Sequence, residues 1–276
     1  FWQSVIRATD ISIFHSFFNV VTTLMLLPFS RVLVWLANKT LRDHNDQHAE
    51  PFALLDTRFL STPPIAISNT KKAMVDMCAL AMQNVINCRT MLKKRDLSLV
   101  PLCKENEEML DNYEIRLTSY LTQISELPLS EEDNGRVAGY FHMVTNIERI
   151  GDYCDNIRQD IERMVENQVL FTEKARRDLN TLFSAIEDVT RLTFEAFEQC
   201  DPILTRRIEP LEEVVDGLQE KLETEHMRRL KAKECNVEAG VIFLEIISNA
   251  ERISDHCSNT VSYTHLRAHE TLRHLV

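Results

Sequence analysis

Glycine is scarce, with five among 276 residues. A strand-and-turn architecture needs glycine where the backbone turns left-handed, so the shortage favours helix. Long stretches also run without proline. The seven cysteines (Cys78, Cys88, Cys103, Cys154, Cys200, Cys235 and Cys257) form no C-x-x-C pair and no ligand-like cluster. An odd, scattered set implies reduced thiols in a cytosolic setting, not a disulfide framework. Positive charge is also in deficit, with 31 Lys and Arg against 42 Asp and Glu and a net charge of −11. Nucleic acid is therefore not an expected partner, because phosphate backbones select clustered cations. No nucleophile–base pairing, glycine-rich phosphate loop or H-E-x-x-H phrase is present, so no enzymatic activity is expected.

Acidic and basic residues are missing altogether from residues 11–30, "ISIFHSFFNVVTTLMLLPFS". About twenty such residues can cross a hydrocarbon core as a helix, and apolar character continues through "VLVWLA". Residues 11–36 are therefore expected to be integral to a membrane, with lipid as their surroundings. The alternative is a buried helical hairpin broken at Pro28. Polar His15 and Asn19 share one helical face and suit packing against other helices. Arg7 precedes the span, while Arg31, Lys39 and Arg42 follow it, a bias that places the C-terminal side in the cytoplasm. Residues 43–64, polar and with three prolines, read as a linker. The chain opens on Phe1, which suggests the C-terminal part of a longer protein.

From Ile65 onward the pattern is helical in long units, expected at 65–95, 99–126, 133–167, 172–200, 203–233 and 236–262. One phrase occurs twice: "NIERIGDYCDNI" at 146–157 and "NAERISDHCSNT" at 249–260 share seven of twelve positions at an offset of 103. A second pair, "EEMLDNYEIRL" at 107–117 and "EEVVDGLQEKL" at 212–222, recurs at an offset of 105. These matches imply an internal repeat. The expected fold is all-α: a transmembrane helical segment (1–42), the linker, then tandem three-helix bundles over 65–167 and 168–262.

Each bundle carries E-x-x-x-D on two helices. Residues four apart differ by about 40° around a helix, so Glu148 and Asp152 share a face, with Asp155 beside them. Glu251 with Asp255, Glu107 with Asp111 and Glu212 with Asp216 do the same. Ile147, Ile150, Cys154, Ile157 and Ile161 fall on the opposite side as a core stripe, matched by Ile246, Ala250, Ile253 and Cys257. Like charges at this spacing repel, and an oxygen-binding cation would relieve them. Glu107, Asp111, Glu148 and Asp152 are thus one candidate metal site, and Glu212, Asp216, Glu251 and Asp255 the other. Arg149 and Arg252 offer the alternative of structural ion pairs.

The paired "ERIGDYCDN" and "ERISDHCSN", each preceded by an E-E-x-x-D helix, resemble the repeated bundles of the PhoU family. That resemblance implies iron or zinc clusters on the acidic faces, with manganese as a further option. "IFHSFFNVVTTLMLLPFSRVL" followed by "LLDTRFLSTPPIAISNTKKAM" resembles the junction in bacterial Na⁺/phosphate cotransporters, where a PhoU-like domain follows the last membrane helices. The implied function is sodium-dependent phosphate transport across the plasma membrane, with the bundles as a cytoplasmic regulatory domain. Sodium and phosphate would bind mainly to upstream segments, and self-association or a cytoplasmic partner would complete the regulation. The alternative is a free-standing PhoU-type metal-binding regulator. The tail 263–276, with His265 and His269, breaks the repeat and reads as non-native sequence.

Overall fold

The computed structural model describes residues 8–26, 52–235 and 237–273, and every regular element among them is helical. The chain divides into two units, one ending at Glu50 and the other starting at Pro51.

The first unit contributes α1 (Ala8–Leu26), 19 residues long. Among the described residues no helix is long and apolar enough to cross a membrane; the transmembrane segment expected over 11–36 falls within them only as far as Leu26. The helix starts early enough to take in Thr9 and Asp10, and it carries His15, Asn19, Thr22 and Thr23 among its apolar residues. These polar residues lower the mean hydropathy of a helix about 28 Å long. Residues 27–36 of the expected segment lie outside the described residues, as do 43–51 of the linker. Phe14, Phe17, Phe18 and Met25 of α1 are exposed.

In the second unit, two 3₁₀ turns (Ala53–Leu55 and Thr57–Ser61) lead into the bundle. They are docked to it: Phe52 meets Tyr113 edge-on at 4.9 Å, and the Tyr120 hydroxyl donates to the Asp56 carbonyl at 3.0 Å. Then follow α2 (Pro63–Lys94), α3 (Val100–Ser125), α4 (Glu131–Glu166), α5 (Glu173–Gln199), the single turn α6 (Pro202–Thr205), α7 (Ile208–Lys231) and α8 (Val237–Arg273). Their ends follow local chemistry. Pro63 and Pro64 occupy the first turn of α2, where a missing N–H costs nothing. Ser130 and Thr172 cap α4 and α5 by accepting the backbone N–H of Asp133 and Ala175. With glycine scarce, Arg95, Gln168, Cys200 and Lys233 take the left-handed conformation that ends or follows a helix. The helix expected over 203–233 is split at 206–207. Pro210 has no N–H for the Arg206 carbonyl and its ring would strike it, so α7 starts afresh at Ile208.

Helices α2, α3 and α4 pack on one another, as do α5, α7 and α8, and α2 also touches α5. The most extensive pairing joins the two sets through α4 and α8. One continuous core results, in which Met74, Leu117, Ile147 and Ile150 meet Phe183, Phe243, Ile246 and Ile253. The repeated phrases face each other in this pairing. Tyr153 and His256, equivalent positions of the repeat, stack at 5.5 Å, and His256 Nδ1 lies 2.9 Å from Asn146 Oδ1. Cys154 and Cys257 are buried free thiols, as the core stripes imply.

Candidate metal centre

The buried stripes of α3 (Cys103, Leu110, Tyr113, Leu117) and α4 (Val144, Ile147, Ile150, Cys154) leave the neighbouring acids at the edge of the contact. Gly151 makes the approach of these helices close. A Cβ added there would lie 2.6 Å from Leu110 Cδ1, so any side chain at this position would force the end of Leu110 to move. Leu110 adjoins Asp111 and Gly151 adjoins Asp152, so this crossing draws their carboxylates together. Glu107, Asp111 and Asp152 each bring one oxygen to within 4.8 Å of the others. Among the described residues no other group of three His, Cys, Asp or Glu does so.

The electrostatics agree with the geometry. Partial burial raises the Glu107 carboxyl above its ordinary range, and the charges of Asp111, Asp155 and Asp152 raise it further. Burial likewise raises Asp111, with Asp152 next in effect. Glu148 lies apart from the trio but is pushed up to about 7, by burial first and by Asp152 second, against the opposing pull of Arg149. Three converging carboxylate oxygens, with Glu107 and Asp111 destabilised as anions, suit a hard or borderline divalent cation.

Not every acid on this face is available. Burial would raise Asp155, but hydrogen bonds from Arg158 at 2.6 Å and Gln159 at 2.7 Å outweigh it and hold the carboxyl below its usual value. Arg158, itself buried, also binds Glu162. Sequence spacing put Asp155 with the acids; an arginine three residues on was the signal that it is spoken for. Arg149 contacts Asp152 at 3.0 Å and Glu148 at 3.8 Å, while Arg252 contacts Glu251 at 3.7 Å. The structural pairing foreseen for these arginines is therefore present, from side chains that are half exposed.

In the second repeat, burial raises Glu212, Asp216 and Glu251. Asp255 adds to the rise at all three, so the four acids face one another. They do not gather three oxygens as closely as the first set. The repeat places Ser254 where the first unit has Gly151, and Val215 where it has Leu110; both are fully buried.

The PhoU domain family matches this chain twice, over residues 74–161 and 179–264. The chain is similar to the putative inorganic phosphate export protein YjbB of Salmonella typhimurium, at 22% identity over 87% of this chain and 45% of that protein. It is also similar to the phosphate-specific transport system accessory protein PhoU homolog 1 of Thermotoga maritima, at 24% identity over 56% of this chain and 66% of that one. The chain thus spans less than half the length of the export protein. Among solved structures, PhoU from Pseudomonas aeruginosa superposes with a TM-score of 0.70 at 15% identity, covering 76% of this chain and 99% of that one. PhoU from Streptococcus pneumoniae gives 0.66 at 16%, covering 73% and 94%. A sodium/phosphate cotransporter, expected from the N-terminal junction, is not among these relatives. With the doubled acidic motif, the six long helices and the twofold match in agreement, the chain belongs to the PhoU domain family.

Proposed function

We propose that the helical unit is a PhoU-type regulator of phosphate movement, acting through a partner and not by catalysis, with a cation on its acidic face. The observation that carries this is the convergence of Glu107, Asp111 and Asp152 from two helices. These three would hold the ion, Glu148 would lend charge from beside them, and Glu212, Asp216, Glu251 and Asp255 would form a second, looser place for one. A bound divalent or iron centre would neutralise the face and tie α3 to α4 there. Protein purified without chelator should contain iron, zinc or manganese, and D111N/D152N should lower the content by at least about half of the total if the first site holds one of two ions. Unchanged metal content in that variant, with the fold intact, would refute the site and leave structural ion pairs as the role of these acids.

A second reading is favoured by the reach of the match to the export protein, which extends over 87% of this chain, beyond the two PhoU segments. In that reading the bundles are the cytoplasmic regulatory part of a longer plasma-membrane protein that moves inorganic phosphate, and sodium coupling is an additional property. Phosphate flux in cells carrying the full-length protein, with sodium replaced by choline, separates the two. Flux that needs the protein and sodium supports the cotransport form. Flux without sodium leaves export, and no flux leaves the regulator alone.

A further inference from the structure

A cleft of about 400 Å³ lies between the C-terminal end of α2 and the first turns of α5, away from the acidic face. Half-buried Leu92 and Phe171 present its apolar floor, backed by the buried Met164, Leu179 and Phe183. Arg89, Lys93, Arg95, Arg176 and Arg177 line the same space, against the single acid Glu173. The chain as a whole carries a net charge of −11, so this lining runs against its overall sign. Three of the five have partners: Arg89 holds Glu187 and reaches Asn180 at 3.4 Å, Arg95 donates to the Val169 carbonyl at 2.9 Å, and Arg176 pairs with Glu173. Lys93 and Arg177 make no side-chain hydrogen bond or ion pair with any described residue.

Cations held over a partly enclosed apolar floor focus positive potential into the cleft. The volume lies in the range of small-molecule sites, which join an apolar lining to a few placed polar groups. We propose that this cleft binds a nucleoside phosphate, its base against Phe171 and Leu92 and its phosphates on Lys93 and Arg177. Bare phosphate would leave the floor unused, and a bare nucleoside would leave the cations unused. Guanidinium and ammonium groups are the side chains that take phosphate oxygens by charge-assisted hydrogen bonds. This inference stands independently of the regulatory reading, since it uses neither the acidic face nor a partner.

The test is isothermal titration of the full chain with ATP, pyrophosphate and adenosine, with chelator present so that no metal bridges nucleotide to the acidic face. ATP should bind, and pyrophosphate and adenosine should each bind at least about tenfold more weakly, the effect of losing one group of contacts. K93E/R177E, which alters two exposed side chains on helix surfaces, should keep its circular dichroism spectrum and lose at least about tenfold in ATP affinity. D111N/D152N should bind ATP unchanged. Four results would overturn the proposal: no ATP binding at millimolar concentration, pyrophosphate binding as tightly as ATP, ATP binding indifferent to K93E/R177E, or cleft-dependent binding seen only with phosphatidylglycerol vesicles.

Discussion

Glu148 shows how one side chain reports its surroundings. It sits on α4 at 16% side-chain exposure, between Asp152 and Arg149, and its carboxyl is pushed up to about 7. The unfolded chain would titrate it near 4.5. The folded state therefore binds the proton more tightly, so this residue's stabilising contribution is full below pH 4.5 and is lost as pH rises through 7. In chelator-treated protein, Glu148→Gln removes that loss. It should leave urea stability nearly unchanged at pH 4.5 and raise it by roughly 1–3 kcal/mol at pH 8. A variant no more stable than the parent at pH 8 would show that Arg149 already compensates the charge. The raised pKa was not legible in the sequence, because i,i+4 acids on an open helix face would be solvated. Burial by the crossing helix makes the difference.

At the scale of elements, the crossing of α3 and α4 decides where acids converge. Both helices, their apolar stripes and their E-x-x-x-D faces follow from periodicity and spacing. The distance between them follows from Gly151, whose missing Cβ lets Leu110 seat against the α4 backbone. Gly151→Ala forces the end of the Leu110 side chain to move, at a cost of about 1–2 kcal/mol in urea denaturation. It should also weaken cation binding at Glu107, Asp111 and Asp152, read by metal titration. Loss of stability with unaltered metal affinity would uncouple the crossing from the site. The split at 206–207 belongs to the same scale. Pro210 marked it in the sequence, but the apolar periodicity running across the break masked the signal.

For the whole molecule, the internal repeat implied two similar three-helix sets, and the family matches fall on both. The sets share their core through α4 and α8, so the repeated phrases meet each other across an interior interface. The cleft depends on the same assembly: Lys93 and Arg177, remote in sequence, line one space because α2 packs on α5. Spread along the chain, its cations look like the minority charge of an acidic protein. By itself the sequence determined the helices, their caps, the repeat and the acidic stripes, because each depends on residues within a few turns of one another. Only the tertiary structure decided which acids meet, which are already held by arginine, and where positive charge gathers. Those outcomes depend on interhelical distances of a few ångströms, set by the volumes of side chains such as Gly151 and Leu110 that local pattern does not encode.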